Sequence, residues 1–149
     1  MRLIVRRAKI EDADVIAKNV VAMALEGSQS KLDPAIVAQG VKSLFKKPDL
    51  GFYVVAEKEG QIVGSLIVVH EWSDWRNGVH WWIHSVYIAP AFRRQGVYKE
   101  MYAFVRSEAK KSPDARELKL STARNNHVAR STYERLGMQE VDNVIYRAT

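Results

Sequence analysis

The pattern of apolar and polar positions divides the chain into short elements of two kinds. Apolar residues three and four positions apart predict helices over 11–25, 34–45, 97–109 and about 126–136. Apolar or alternating runs predict strands over 3–8, 52–57, 61–70, 79–88 and 117–122, and a closing pair of short strands over 138–141 and 144–146. The resulting order is β-α-α-β-β-β-α-β-α-β-β, which indicates a mixed α/β fold with helices on the faces of one sheet.

Several of these boundaries carry local chemical signals. Asp33 and Pro34 are a preferred N-cap and first helical residue. The sequence from Gly27 to Ser30 predicts the end of the first helix, and Gly137 suits the C-cap of the last one. Because no repeat, linker or low-complexity tract interrupts the pattern, we expect residues 1–149 to form a single domain.

Composition narrows the class of protein. The chain has 149 residues, of which 47% are hydrophobic and 27% charged, and this is typical of a globular domain. It contains no cysteine, which excludes disulfides, cysteine metal sites and a cysteine acyl-enzyme and fits a reducing cytoplasm. The N-terminus soon turns charged, so we expect no signal peptide, and the apolar runs are far too short to cross a membrane. We therefore expect a cytoplasmic protein without a membrane partner.

The net charge of +6 allows nucleic acid, an anionic membrane or a phosphorylated cofactor as a partner. The basic residues are scattered, and no cluster is larger than a pair, such as those at 46–47, 93–94 and 110–111. None of these is long enough for a nucleic-acid-binding tail, so we expect no nucleic-acid partner. A basic nucleic-acid-binding domain remains the alternative that salt-sensitive binding would reveal.

The stretch from His84 to Tyr98 carries the clearest chemical pattern. An apolar strand ends at Pro90, a basic turn with Arg93, Arg94 and Gly96 follows, and a helix begins at once. The first N–H groups of a helix lack intrahelical partners and the helix dipole favours negative charge, so such a turn suits a diphosphate. An ordinary connecting loop is the structural alternative.

This turn resembles the acyl-CoA-binding segment of the GNAT superfamily of N-acetyltransferases, which carries Arg/Gln-x-x-Gly-x-Gly/Ala. Arg93 and Gly96 match, Arg94 stands where glycine is most usual, and Tyr98 stands where the family has Gly or Ala. The resemblance implies that acetyl-CoA is the cofactor and that its binding residues are Val86, Tyr87, Ile88, Arg93, Arg94, Gln95, Gly96, Val97 and Tyr98.

A second stretch is similar to the family signature Asn-x-x-Ala-x-x-x-Tyr-x-x-x-Gly-Phe. Asn126, Ala129, Tyr133 and Gly137 match, with Met138 in place of Phe. The resemblance implies that Tyr133 is the general acid for the departing thiolate, that Asn126 contacts the pantetheine arm and that Ala129 leaves room for it. The alternatives are a helix cap for Asn126 and a core position for Tyr133. With both motifs in order, the resemblance covers the whole chain and implies a central mixed sheet of about seven strands flanked by four helices.

The general base is open between two residues. His84 lies where the family places its base or a water relay, and an imidazole with a pKa near 6.5 can accept a proton at neutral pH. Glu71, at the end of the neighbouring strand, is the second candidate, and a packed, hydrogen-bonded histidine is the structural alternative for His84. Because His80 and His84 lie four apart on a strand, about 13 Å, they cannot share an ion, and we expect no metal site.

The acceptor side is less defined by the sequence. Residues 71–76, after the third predicted strand, are rich in aromatic and acidic side chains. They predict an amine pocket built from Trp72, Asp74 and Trp75, which Glu26 could join. The structural alternative is that the tryptophans cap the core. The resemblance implies an acetyl-CoA-dependent N-acetyltransferase that acts on a primary amine of a small molecule by direct transfer, with a strand N–H near Val86 to Ile88 polarising the thioester carbonyl. The alternatives are acetylation of a protein lysine or N-terminus and a non-catalytic CoA-binding sensor. The C-terminal edge strands leave a homodimer open.

Overall fold

The computed structural model describes residues 2–149 and follows the predicted order of elements up to the last helix. Its strands are β1 (Leu3–Arg7), β2 (Gly51–Lys58), β3 (Gln61–Ser73), β4 (Gly78–Ile88) and β5 (Ala115–Leu120). Its helices are α1 (Ala13–Ser28), α2 (Pro34–Leu44), α3 (Val97–Lys111) and α4 (His127–Arg135). The mixed α/β prediction is confirmed, with the observed boundaries within a few residues of those predicted for these elements.

The five strands form one sheet in the order β1-β2-β3-β4-β5. The first three pairings are antiparallel, since short turns join β2 to β3 and β3 to β4. β5 runs parallel to β4 because α3 provides the crossover between them. The mixed sheet is therefore a direct consequence of where the long third helix falls in the sequence.

Helices cover both faces of this sheet. On one face, α1 and α2 pack Ile16 and Val41 against Tyr53 and Val55 of β2. On the other face, α3 packs Met101 and Val105, both fully buried, with apolar strand residues that include Val54, Leu66 and Ile83. Successive residues of β2 thus belong alternately to the cores on the two faces of the sheet. For this reason both faces of the strand are apolar, and its sequence is a continuous apolar run.

β4 contains an irregularity in its second half. Ser65 of β3 pairs with Tyr87 and Ile67 pairs with His84, so the single residue Leu66 lies opposite two residues of β4. Ser85 takes up the extra length with a left-handed φ of 51°. This is a β-bulge, and it falls at the point where β4 separates from β5.

The separation follows from the strand registers. β5 pairs with β4 only as far as Leu120 opposite Ile83, so residues 84–88 have β3 on one side and no strand on the other within the described part of the chain. The Ala89 N–H donates to Val63 of β3 at 2.8 Å, and successive strand N–H groups point to opposite sides. The N–H groups of Val86 and Ile88 therefore point away from β3. We call the space beside residues 84–88 on that side the wedge.

The prediction of two closing strands is wrong. Residues 138–149 form no helix or strand in the structure of residues 2–149, so the sheet has five strands and not about seven. A strand needs a neighbour that pairs with its backbone, and residues such as Val144, Ile145 and Tyr146 favour strands without supplying that neighbour.

Candidate active site

The wedge opens beside a cavity of about 310 Å³. Its walls come from the last turns of α1, from the end of β4 and from the turn before α3, and they are Met23, Glu26, Gly27, Val86, Tyr87, Ile88 and Arg93. The structure thus brings the predicted acceptor residue Glu26 together with the strand residues predicted to bind the cofactor. A cavity of this size is at the lower end of the range for small-molecule sites.

Arg93 closes one side of this cavity. Its Nε donates to the carbonyl of Ile88 at 2.8 Å, and one terminal nitrogen lies 2.9 Å from Glu26 Oε1. Its guanidinium also lies 5.4 Å from the centre of the Tyr87 ring. Burial, together with the nearby Glu26 carboxylate, raises the pKa of Tyr87, so this phenol stays protonated at neutral pH. In this arrangement Arg93 links the end of β4 to α1.

The turn before α3 has the backbone that an anion site needs. Arg94 and Gly96 both have left-handed φ values, 63° and 80°, and α3 begins directly after Gly96 with the Glu100 N–H donating to its carbonyl. The N–H groups of the first helical turn accordingly have no intrahelical acceptor. Arg94 and Gln95 are exposed beside them, whereas Val97 is buried in the core.

Tyr98, the departure from the family pattern, turns inward. Its ring packs edge-on against Tyr133 of α4 with 5.8 Å between centres, and its hydroxyl is buried. The bulky side chain therefore fills the junction of α3 and α4 and brings the first turn of α3 against the predicted general acid. Burial, and secondarily the neighbouring Tyr133 and Tyr102, raises the pKa of Tyr98 far above its usual value. Burial likewise raises the pKa of Tyr133.

The Tyr98 hydroxyl has no hydrogen-bond partner among residues 2–149. An unpaired buried hydroxyl costs stability, so Tyr98→Phe is expected to stabilise the free protein by about 1 kcal/mol. Thermal unfolding should show a midpoint higher by about 2–5 °C. A lower midpoint would mean that the hydroxyl is satisfied in solution and would contradict this description.

α4 begins as its sequence predicts. The Asn126 side chain accepts a hydrogen bond from the Ala129 N–H at 3.2 Å, which caps the helix. Ala129 and Tyr133 are both half-buried on the same side of α4. The capping alternative for Asn126 is thus confirmed, while the contacts predicted for Asn126 and Ala129 with a cofactor stay predictions.

The two candidates for the general base lie in different places. His84 lies beside the bulge at the edge of the wedge, half-buried and stacked on Trp82 with 5.7 Å between ring centres. Burial lowers the pKa of His84 below 6.5, so the imidazole is neutral at pH 7. Glu71 of β3 lies opposite His80 of β4. His80 precedes His84 by four residues, which amounts to about 13 Å along the strand. The structure does not bring the two candidates together.

The aromatic hairpin lies at the other end of the sheet. Trp72 is 62% exposed and Trp75 94%, so the alternative in which these tryptophans cap the core is wrong. The eight-residue separation of Gly78 from Val86 amounts to about 26 Å along β4. The assignment of Trp72, Asp74 and Trp75 to the acceptor pocket stays a prediction, one that the position of the hairpin does not support.

Among residues 2–149, no group of three His, Asp or Glu side chains is arranged to hold a metal ion. None of the described helices has the length and apolar character that crossing a bilayer requires. A second depression, of about 520 Å³, is lined by side chains of α4 that include Arg130 and Glu134.

Sequence reasoning missed three features of the site. Met23 and Gly27 line the cavity but belong to a helix whose sequence predicts only packing and a helix end. The bulge rests on Ser85, a residue type with no special preference for a left-handed φ, so no sequence signal marks it. A glycine or asparagine at that position would have been the signal.

Comparison with known proteins agrees with this geometry. A family model described as Acetyltransferase (GNAT) family matches residues 20–138. A possible acetyltransferase from Clostridium difficile 630 is 32% identical, with a TM-score of 0.92 over 100% of this chain and 98% of that one. No curated protein sequence matches.

Two more distant structures share the fold. A predicted acetyltransferase from Clostridium acetobutylicum, solved with acetyl-CoA, is 17% identical with a TM-score of 0.79 over 99% of this chain and 96% of that one. Glucosamine-6-phosphate N-acetyltransferase from Arabidopsis thaliana is 18% identical with a TM-score of 0.74 over 99% of both chains.

Proposed function

Because this chain belongs to the GNAT family of acetyltransferases, we propose that it transfers the acetyl group of acetyl-CoA directly to the primary amine of a small molecule. Use of acetyl-CoA and acetyl transfer follow from the family. The small-molecule acceptor, the direct mechanism and the roles of individual residues are our proposal. So are a single domain spanning the whole chain and a cytoplasmic location.

The residues of the wedge fit the chemistry of acetyl-CoA. An extended pantetheine chain carries amide groups that pair with a strand edge, and Val86 and Ile88 turn their N–H groups to an edge without a strand in residues 2–149. A diphosphate needs free N–H groups and positive charge, and the first turn of α3 beside Arg94 supplies both. The exposed Gln95 adds a side-chain amide there.

Each proposed catalytic group is in the protonation state that its role requires. When bound, acetyl-CoA supplies an activated thioester. The Val86 N–H donates a hydrogen bond to the carbonyl oxygen, which gains negative charge during the reaction. Neutral His84 accepts the ammonium proton at an imidazole nitrogen, directly or through water. Tyr133 donates its hydroxyl proton to the departing sulfur and regains one from solvent, to which the nitrogen loses its second proton.

The observation that carries the choice of acceptor is the cavity of about 310 Å³ beside the wedge, with Glu26 in its wall. Its volume suits a small molecule, and a carboxylate is the natural partner of an ammonium group. Glu26 is paired with Arg93 in this structure, so an amine would share or take over the Glu26 Oε1 atom that Arg93 now contacts.

The acceptor class can be tested by measuring thiol release from acetyl-CoA with polyamines, aminoglycosides, amino acids and peptides. The proposal expects turnover with one of the small amines and much slower turnover with peptides. Mass spectrometry of proteins incubated with enzyme and acetyl-CoA tests the main alternative. Efficient protein acetylation without small-amine turnover would overturn the proposed acceptor, and CoA binding without release on any amine would favour a sensor.

The choice of general base gives a separate prediction. His84→Gln is expected to lower kcat/KM about 10- to 50-fold at pH 7, less than the full effect of a general base because the deprotonated fraction of the amine still reacts. That loss should shrink as the pH approaches the pKa of the amine, since the substrate then arrives deprotonated. Glu71→Gln is the matched control and should stay within twofold.

The pH dependence of the unmodified enzyme follows from the same assignment. Because burial lowers the pKa of His84, kcat/KM should hold near neutral pH and fall only when the pH drops below 6.5 and the imidazole becomes protonated. A large loss in Glu71→Gln together with an unchanged His84→Gln would transfer the role to Glu71.

A further inference from the structure

The cavity beside the wedge has one charge of each sign in its wall. Glu26 contributes a carboxylate and Arg93 a guanidinium, and Glu26 Oε1 lies 2.9 Å from a terminal nitrogen of Arg93. The other lining residues, all within the described part of the chain, carry no charge at neutral pH. The wall as a whole is therefore neutral, and a ligand with several positive charges would meet Arg93 without compensation.

The ion pair between Glu26 and Arg93 is easy to open. About half of each side chain is open to solvent, 46% for Glu26 and 42% for Arg93, and half-exposed pairs of this kind contribute little to stability. A ligand that offers an ammonium group to Glu26 and a carboxylate to Arg93 replaces one ion pair by two. An amine without a carboxylate takes Glu26 away and leaves the guanidinium without its charged partner.

Arg93 is held at the cavity independently of Glu26. Its Nε donates to the carbonyl of Ile88, the last residue of β4, at 2.8 Å, so the guanidinium keeps its place when Glu26 turns to a ligand. The bonds to Ile88 and Glu26 use only some of the N–H donors of the guanidinium. A planar, anchored guanidinium with donors to spare is the side chain that binds carboxylates best.

The same geometry separates Arg93 from the anion site at the start of α3. The resemblance assigns Arg93 to acetyl-CoA, but its guanidinium lies against the Tyr87 ring, the Ile88 carbonyl and Glu26. The exposed Arg94, with its left-handed φ of 63°, is the arginine beside the first turn of α3. The two successive arginines are thus free to serve different ligands.

The rest of the cavity wall is mainly apolar. Met23, Val86 and Ile88 contribute apolar side chains, and Gly27 contributes only backbone. The volume of about 310 Å³ leaves room for a small ligand. A short apolar group attached near the two charged groups of the ligand would fill this part of the space.

We propose that the acceptor is a free α-amino acid with an apolar side chain, whose carboxylate binds Arg93 and whose ammonium group binds Glu26. The inference rests on the proposed acetyl transfer and narrows its acceptor from primary amines in general to zwitterions. In an α-amino acid both charged groups are attached to one carbon atom, so they reach two protein groups that are themselves neighbours. Diamines and aminoglycosides have no carboxylate for Arg93 and are poor acceptors.

Steady-state kinetics with matched pairs of acceptors test the carboxylate contact. Alanine, valine, leucine and methionine are each compared with their own α-amide at saturating acetyl-CoA, because the amide keeps the shape and the amine but loses the negative charge. At least one of these amino acids should have a kcat/KM about 10- to 100-fold above that of its amide, the factor that a charge-assisted pair provides. Putrescine should react no faster than the amides.

Variants of the two charged residues assign the contacts. Arg93→Gln should bring the ratio of kcat/KM for acid and amide to within about threefold of one. Glu26→Gln should slow both substrates about 10-fold and keep the acid preferred, since both carry the ammonium group. Each ratio compares two substrates of one protein, so partial loss of folded enzyme does not alter it. Arg76→Gln opens an ion pair of similar exposure in the aromatic hairpin, 52% and 51%, and is the matched control that keeps the ratio.

Calorimetric titration with CoA separates the acceptor role of Arg93 from a cofactor role. Arg93→Gln should bind CoA within about threefold of the unmodified protein. An unchanged ratio of acid to amide in Arg93→Gln would overturn the inference, and a simultaneous loss of CoA affinity would return Arg93 to the cofactor. Turnover of putrescine or an aminoglycoside with none of the four amino acids would also overturn it but leave the proposed small-molecule acceptor standing. If no small amine is turned over, the proposed function itself is wrong and this inference with it.

Discussion

Tyr133→Phe is expected to lower the turnover number about 100- to 1000-fold while changing the affinity for CoA less than threefold. The substitution removes one oxygen atom from a half-buried side chain and leaves the ring that packs against Tyr98. A positioned general acid contributes about 10² to 10⁴ in rate, and phenylalanine has no proton to donate. The effect is therefore expected on the chemical step and not on binding.

The pH dependence supports the same assignment. Burial raises the pKa of Tyr133 above its usual value near 10, so the phenol is protonated throughout the neutral range and its loss of function should begin only at higher pH. The unmodified enzyme should accordingly show no fall in turnover due to this group below about pH 10.

Steady-state kinetics and calorimetric titration with CoA measure the two quantities separately. Tyr102→Phe is the matched control, because it changes a buried tyrosine on α3 one turn after Tyr98. It should keep turnover within threefold. If Tyr133→Phe turns over at the normal rate, the proton for the departing sulfur comes from elsewhere, and the role assigned to Tyr133 is wrong.

Gly96→Asp is expected to weaken CoA binding about 100-fold relative to Gly96→Asn. The two side chains have nearly the same shape, and both residues tolerate a left-handed backbone such as the φ of 80° at Gly96. A Cβ at this position meets no other atom within 4 Å, so neither variant introduces a clash. The difference between them is one negative charge at the first turn of α3.

That charge is expected to oppose a diphosphate strongly. Two like charges about 6 Å apart repel by about 3 kcal/mol at an effective dielectric constant of about 20, and 1.4 kcal/mol corresponds to a factor of about ten in affinity. Titrations of both variants with CoA at low and high salt measure the ratio of their two affinities, which should approach one as salt screens the charge. Equal affinities would mean that the diphosphate does not lie at this helix end.

The sequence predicts the layered part of the fold well because the signals there are local. Val97, Met101 and Val105 mark the buried side of α3 by their spacing, and Asp33 accepts the Ala35 N–H at 2.9 Å at the predicted start of α2. Helix spacing and caps are decided by residues a few positions apart. The prediction of strands after Gly137 failed for the opposite reason, since strand pairing depends on a partner that lies far away in the sequence.

The candidate site was only partly accessible to sequence reasoning. The motifs identify Gly96 and Tyr133, and the structure brings α3 and α4 into contact through Tyr98. The direction of the Tyr98 side chain depends on the space between two helices, which the sequence does not encode locally. The ion pair between Arg93 and Glu26 joins residues 67 positions apart, and no short-range pattern could have indicated it.

The extra residue at Ser85 acts as a phase shift along β4. Before the bulge, Trp81 and Ile83 belong to the core on the α3 side. After it, Val86 and Ile88 pack on that core although they also reach the cavity wall, whereas the Tyr87 ring lies against Arg93. Deleting a single residue here would reverse this order, turning the phenol of Tyr87 toward the core and the side chains of Val86 and Ile88 out of it. Insertions and deletions at this point should therefore be selected against far more strictly than conservative replacements, even though no group at Ser85 takes part in the proposed reaction.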